Sequence, residues 1–570
     1  MKWRKWIAVF ATMGLVATIT PAVYAEPVQT TVTGNLVKIT TAADFSNAQL
    51  TNLTVDESIG NGAVKLTDSS IEGELISGTY SCSEFERMVA SWNADTPEGA
   101  TVEITARAHL TGTDIWTDWL SWGEWGTTIA RCSGSSETAR DTYAYVDTDV
   151  LTFRGNNGVT ADQFQVRAVL RSKNGATPVL RQLCATLQNN QEGREIVPVY
   201  AEDTVTLPEK VILSTPAYSQ MVRTPDISTS ICNPTTITTL LNDRGEDLLP
   251  EQTALGTYDF SYQGFGNWSF ALAAAGSFGY DCYIQFGDLD ILRQELAKGY
   301  SVGIDVHYSP VDHSNLPYVE NAPLASSGHL ITIRGYETID DVEYFYVSDS
   351  AAVDDQEALR RYRADQLDAA WNNRIVYIIH EKEQNAGTAA PSTANAELKP
   401  VDGAQNTYQL VVNGEVMDLT DEFIKNKTLE AGGGTIVARQ AEEPAAAQIS
   451  PAKSTTANCR YFYDFRVTNS GIVIDPKTLF RQSEPGDEHK LIVTVITNTG
   501  KSYSSELTVI TPSADESSST EVSVVTADGS VSGDSNRTFP WLWVGIGMAL
   551  FAIAVVVCAI TVNNKKKNPK

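Results

Sequence analysis

The sequence predicts a multi-domain chain: an α+β domain between two β-sandwich domains, with a membrane-directing segment at each end. Three observations carry this. Period-two alternation with frequent turn residues fills roughly 31–188 and returns over 399–511. Between them, over 208–383, helical segments come first and apolar strands follow. The ends are a basic-then-apolar N-terminus and an uncharged apolar run near the C-terminus.

At the N-terminus, Lys2, Arg4 and Lys5 precede the apolar stretch Trp6–Ile19, and Val23-Tyr24-Ala25 offers a small-residue cleavage site. This is the pattern of a secretory signal over 1–25, with the mature chain expected to begin at Glu26. The front domain, 31–188, alternates cleanly in Thr101–Arg107 and in Phe164–Leu170, and helical periodicity is scarce, so a β-sandwich is expected. Trp116, Trp119, Trp122 and Trp125 recur every third residue. That spacing sends side chains to both faces of a strand, so some are expected in the core. The rest are candidates for stacking on a glycan or wall polymer.

In the central domain a helix follows Cys232, and Asp290–Lys298 is bounded by acidic residues and Gly299. Strands are expected at Ser301–Tyr308, His329–Gly335 and Glu343–Val347, then a helix over Arg363–Trp371 and a strand over Arg374–His380. The stretch 384–398, rich in Ala, Thr and Asn, reads as a linker. Short strands resume over 399–511, with Asn413-Gly414 as a hairpin turn, and an immunoglobulin-like sandwich is expected there. Residues 512–538 hold too few large apolar groups for a core and read as a disordered stalk. The run 539–562 is led by Trp541 and Trp543 and followed by Lys565, Lys566 and Lys567 in the basic tail 563–570. It is long enough to span a bilayer, with the lysines on the cytoplasmic side. No LPxTG-like motif precedes it. The expected location is therefore a bacterial cell membrane, single-pass, with the ectodomain outside.

The net charge of −28 is spread along the ectodomain and makes nucleic acid and anionic lipid poor partners. Seven cysteines are few, and none forms a CxxC pair, which disfavours a structural metal site; no cofactor is expected. A bridge among Cys82, Cys132 and Cys184 is open.

The chemistry lies in the central domain. Cys232 opens a helix with Pro234 in its first turn, His329 opens a strand about a hundred residues on, and Asp349 ends another. A thiol attacks a carbonyl as thiolate, and a helix N-terminus with an imidazolium beside it lowers the thiol's pKa. His329 is the candidate base, Asp349 its orienter, and Gln220 the side-chain amide for an oxyanion.

Gln220, Cys232-Asn233-Pro234-Thr235, Gly266-Asn267-Trp268, Gly328-His329 with Gly335-Tyr336, Val347-Ser348-Asp349-Ser350-Ala351 and Trp371 follow one another in order. In this the chain resembles the peptidase family C-thirty-nine-like proteins, relatives of the bacteriocin-leader peptidases with a papain-like fold. The front domain, with Ser91-Trp92-Asn93, also looks like the sandwich that often precedes this peptidase type. The resemblance implies Cys232 as nucleophile, His329 as base, Asp349 as its orienter and Gln220 as oxyanion donor. Two departures stand out. Asn233 replaces a glycine, which would narrow the cleft beside the thiol, and Ser348 and Ser350 replace the Asn and Pro around Asp349, which would loosen it.

No GxxxxGK[ST] motif occurs, so a transporter-coupled role in leader cleavage is not expected. The leading expectation is a surface-anchored thiol peptidase acting on extracellular peptides or proteins. The alternatives are a surface adhesion or glycan-binding protein whose papain-like domain is inactive, and a peptidoglycan amidase. The irregular Ser309–Ser327 is a candidate lid.

Overall fold

The computed structural model describes residues 29–387, apart from 98, 128–130, 156–157, 174, 200–204, 224–226 and 247, and separate strands between 393 and 510. The chain divides into two units, 1–511 and 512–570, and every described residue belongs to the first. The expected signal, stalk, span and basic tail lie outside the described residues. Among the described residues no helix is long and apolar enough to cross a membrane.

The alternating segments of the front domain become its long strands. Ala100–Leu110 pairs antiparallel with Ala161–Ser172, Thr105 opposite Arg167. Val102, Ile104 and Ala106 on one strand, and Val166, Ala168 and Leu170 on the other, turn into the core. A second seven-stranded sheet is centred on Arg87–Asp95 and Val179–Gln188, which pair antiparallel with Ala90 opposite Ala185. One apolar core, including Phe45, Phe85 and Trp92, lies between the two sheets.

The tryptophan cluster divides. Trp122 and Trp125 are both fully buried, although spacing by three should separate them. A β-bulge between Ser121 and Glu124 supplies the extra residue that returns Trp125 to the core face. Gly123 sits in that bulge at φ 101°, where a Cβ would meet the Cys132 carbonyl at 2.0 Å. Trp116 and Trp119 are half-buried, and the Arg107 guanidinium stands 5.1 and 4.9 Å from their ring centres. Arg167 stands 5.1 Å from Trp119 as well.

The central domain is α+β. Helices Cys232–Asp243, Pro250–Thr257 and Trp268–Gly276 precede six of the seven strands of an antiparallel sheet. Its order is Tyr280–Phe286, Trp371–Lys382, Val302–Tyr308, Ser326–Ile339, Val342–Ser348 and Leu359–Arg363, with Lys210–Ile212 also on Ser326–Ile339. The Cys232–Asp243 helix lies against this sheet. Gly303 permits that approach, since a Cβ there would stand 2.8 Å from Thr236 Cγ2. The strand Tyr280–Phe286 escaped the sequence analysis although 280, 282, 284 and 286 are all apolar; its edge is covered by another domain.

That cover is the front domain. Ile284 and Phe286 donate their backbone N–H groups, both at 3.1 Å, to the hydroxyls of Ser91 and Thr186. The unpaired edge donors of the central sheet are thereby satisfied by the front sandwich. Ser269 Oγ donates to the Ala90 carbonyl at 2.6 Å, and Gln182 Nε2 donates to Asp281 and to the Cys282 carbonyl. Arg181, with no exposed side-chain surface, joins Asp95, Glu383 and the Gly276 carbonyl.

Beyond 393 the strands form a four-stranded and a five-stranded sheet. Thr393–Asn395 and Glu397–Pro400, within or next to the stretch read as a linker, pair into them. Thr407–Val412 pairs antiparallel with Glu415–Val416 on either side of Asn413-Gly414. These strands do not by themselves establish immunoglobulin topology.

Removing the Arg181 guanidinium would leave two largely buried carboxylates facing each other. Arg181→Met is expected to destabilise the protein by about 3–5 kcal/mol, read as a lower urea midpoint for the transition that includes the central domain.

Candidate active site

Cys232 is the first residue of its helix, and the turn closes with the Thr235 N–H on the Ile231 carbonyl at 2.9 Å. Pro234 lies in the first turn, where no intrahelical partner is needed. The half-buried Cys232 thiol is placed where the His329 imidazole and the Leu330 backbone N–H both favour its thiolate. His329 reaches it from the Ser326–Ile339 strand, where it pairs with Val306 on the neighbouring strand.

Asp349 follows directly on the strand Val342–Ser348, whose Ser348 pairs with Thr332. The side chain is fully buried, and both its oxygens are doubly engaged. Oδ1 accepts from His329 Nε2 at 2.8 Å and from the Ala351 backbone N–H at 3.1 Å. Oδ2 accepts from the hydroxyls of Tyr308 and Tyr362, each at 2.6 Å. Four donors match the four lone-pair sites of a carboxylate. With Nε2 committed to Asp349, Nδ1 is the imidazole nitrogen left for the sulfur.

Gln220 is buried, and its contacts tie it to the segment after Asp349. Its backbone N–H donates to the Ser350 carbonyl and its Oε1 accepts from Ser350 Oγ, both at 2.8 Å. Nε2 donates to the Ser228 carbonyl at 2.8 Å. The geometry thus joins His329 to Asp349 by a hydrogen bond, sets the Cys232 thiol under the influence of His329, and fastens Gln220 to Ser350 beside Asp349.

The two departures from the family pattern behave differently from expectation. Asn233 does not narrow the cleft. It is fully buried, donating to the Phe265 carbonyl at 2.8 Å and accepting from Tyr377 at 3.0 Å. Nor does Ser350 loosen Asp349, since its hydroxyl is bonded to Gln220. Asn267 of the Gly-Asn-Trp motif caps its helix through the Phe270 N–H at 3.0 Å, and the Trp268 N–H donates to Asp149 of the front domain at 2.5 Å. The candidate lid is irregular but pinned: the Val319 N–H donates to the Ser309 carbonyl, the Glu320 N–H to Gln366 Oε1, and Val319 is buried.

Sequence reasoning missed Tyr308, Tyr362 and Asp305. The tyrosines sit on strands that carry no motif, and only the sheet brings their hydroxyls together. Asp305 accepts from Asn372 and Asn373 at 2.9 and 3.1 Å. Burial raises its carboxyl to about 6.

The electrostatics separate Cys232 from the other described cysteines. Burial pushes its thiol up, but the hydrogen bond and positive charge of His329 outweigh burial and leave it below the ordinary thiol range. Burial alone would lower His329; the charge and hydrogen bond of Asp349 instead raise it to about 10. Burial raises Cys82 and Cys184 to about 12, Cys132 upward and Cys282 well above the usual value. Among the described residues no disulfide joins Cys82, Cys132 and Cys184 to one another.

The family model described as Peptidase C39 N-terminal domain matches residues 35–187, and that of the Peptidase_C39 like family matches 212–376. The chain belongs to the C39-like peptidase family. No curated protein matches it. Among solved structures it is similar to a digestive procathepsin L 3 of Tenebrio molitor, at 14% identity and TM-score 0.23, covering 32% of this chain and 73% of that one. It is also similar to TmCBM61 in complex with β-1,4-galactotriose, at 13% identity and TM-score 0.16, covering 25% and 91%. These likenesses are too slight to carry an argument. Membership of the family makes the function peptidase-related.

Two outcomes follow from the site. Iodoacetamide at neutral pH is expected to label Cys232 ahead of Cys82, Cys132, Cys184 and Cys282; His329→Ala should move the midpoint of Cys232 labelling up to the ordinary thiol value of about 8.5 or higher. Peptide mapping by mass spectrometry across a pH series reads both. The second concerns stability. Charge and hydrogen bonds outweigh burial and depress the Asp349 carboxyl in the folded state. Its contribution is therefore present above the unfolded value of about 3.9 and lost as pH falls through the folded one. Tyr308→Phe with Tyr362→Phe should raise the folded value. The double variant should lose about 2–4 kcal/mol and begin acid unfolding at higher pH than the wild type, measured by denaturant titrations between pH 3 and 7.

Proposed function

We propose that the central domain is a papain-like cysteine peptidase and that the chain hydrolyses peptide amide bonds at Cys232. The observation that carries this is the line from the Cys232 sulfur through His329 to an Asp349 whose oxygens are fully engaged. The thiolate sulfur attacks the scissile carbonyl carbon, and the carbonyl π electrons move to oxygen. The Cys232 backbone N–H, at the start of the helix, and the Gln220 amide are the donors for that oxyanion. Collapse re-forms the carbonyl and breaks the C–N bond, and the imidazolium of His329 gives its proton to the departing amine. The neutral imidazole then takes a proton from water, whose oxygen attacks the thioester. Collapse releases the acid and restores the thiolate and imidazolium. Asp349 holds the imidazole throughout in the tautomer that presents Nδ1 to the sulfur.

The address is read from the sequence: a secretory signal over 1–25 and a span over 539–562 would hold the enzyme at the outer face of a bacterial membrane. An immunoglobulin-like domain and a stalk over 512–538 would then lift the peptidase from the bilayer. Peptides or proteins outside the cell are the substrates of this reading.

The test is turnover of a fluorogenic peptidyl-amide library by the purified full chain. Cys232→Ala should abolish cleavage, a loss of at least about a thousandfold, while leaving the thermal unfolding profile unchanged. Full activity in that variant would sink the proposal.

A further inference from the structure

The Ser350 hydroxyl is used inside the protein, and its partner is the side chain assigned above to the oxyanion. Ser350 Oγ donates to Gln220 Oε1 at 2.8 Å, and the Gln220 backbone N–H returns a bond of 2.8 Å to the Ser350 carbonyl. At the other end of the carboxamide, Nε2 donates to the Ser228 carbonyl at 2.8 Å. An amide nitrogen carries two N–H bonds, so one remains after Ser228 has taken the first. The two ends of a carboxamide are almost the same size, yet only the nitrogen end can stabilise an oxyanion. The Ser228 carbonyl can only accept and so selects this orientation, and the Ser350 hydroxyl, donating to Oε1, holds the oxygen end in place. Neighbouring bonds extend the splint. Ser219 Oγ donates to the Ala352 carbonyl at 2.5 Å, and the Ser219 N–H donates to Asp355 at 2.7 Å. Ser219-Gln220 is thus stitched to 350–355, immediately after the residue that orients His329.

We propose that Ser350 is a positioning residue for oxyanion stabilisation: it pins Gln220 Oε1 so that the free Nε2 N–H faces the reacting carbonyl. It also fastens that donor to the segment carrying Asp349. The inference rests on Cys232 being the nucleophile and Gln220 the oxyanion donor.

Two reactions of the same thiol separate this role from general damage. Alkylation by iodoacetamide displaces iodide at a saturated carbon and forms no oxyanion. Acylation by the p-nitrophenyl ester of an N-protected amino acid passes through a tetrahedral oxyanion. In the full chain, Ser350→Ala should alkylate at Cys232 at the wild-type rate while its acylation rate falls about tenfold. Ser350→Thr, which keeps the hydroxyl, should recover most of that loss. Ser350→Ala combined with Gln220→Ala should acylate no more slowly than Gln220→Ala alone. Unchanged acylation in Ser350→Ala, or an equal fall in alkylation, would overturn the proposal. A wild-type Cys232 that is neither alkylated selectively nor acylated would overturn the peptidase reading itself, and this inference with it.

Discussion

A carboxylate removed from water loses several kcal/mol of hydration unless other donors replace it, and Asp349 is wholly buried. Left unsatisfied, it would take up a proton and cease to stabilise the imidazolium on which an activated thiol depends. Four donors prevent this: His329, the Ala351 N–H, Tyr308 and Tyr362. They come from separate places, the Ser326–Ile339 strand, the turn after Asp349, the end of Val302–Tyr308 and the strand Leu359–Arg363. The sheet order follows from the same need, since only adjacent strands can bring a histidine and two phenols to one carboxylate. Tyr308 also packs edge-on against the His329 ring, 6.0 Å between centroids, so the group that holds the carboxylate also limits rotation of the imidazole.

The front sandwich is the other half of this foundation. An antiparallel sheet that ends in a bare strand offers unpaired N–H groups to any passing chain. Here Ser91 and Thr186 take those groups from Ile284 and Phe286, and Asp149 takes the Trp268 N–H at the start of the helix after the Gly-Asn-Trp motif. Val89 and Val150 of the front domain share one apolar cluster with Leu272, Ile284 and Tyr377, and Cys232 and Trp268 pack against it. The wall behind Cys232 is therefore built by both domains. Burial raises the Asp149 carboxyl to about 8, the mark of a group fixed in place by folding rather than left for solvent.

Local signals were legible wherever a single segment decides its own structure. The alternation of Thr101–Arg107, the cap and glycine stop around Leu289–Lys298, and the helix at Cys232 could each be read from neighbours in the chain. The pairing of His329 with Asp349 was legible from an ordered set of residue types, and here resemblance did more than spacing. What was not legible depends on distant partners. Tyr280–Phe286 alternates except at Tyr283, but the partners of its edge, Ser91 and Thr186, lie about a hundred residues or more away in the chain. Trp125 defied its spacing because a bulge, set by Gly123, shifts the register. Tyr308 and Tyr362 carry no local mark, and their hydroxyls meet only after the sheet has formed.

The same distinction explains why the two departures from the family pattern were misjudged. A side chain placed next to a nucleophile looks like an obstruction when only the sequence neighbourhood is weighed. Asn233 instead lies on the buried side of its helix, where its carboxamide has both a carbonyl and a phenol to bond. A glycine there would leave the Phe265 carbonyl and the Tyr377 hydroxyl without those bonds, so the residue and its partners stand or fall together. Ser350 follows the same logic on the other side of the site, where a hydroxyl in a dry setting needs a partner and finds Gln220. Each departure brings a buried polar group, and each such group is answered by a bond between two segments that frame the thiol. The frame is thus tied at the helix start through Asn233 and at the Gln220 amide through Ser350, on either side of the His329–Asp349 pair.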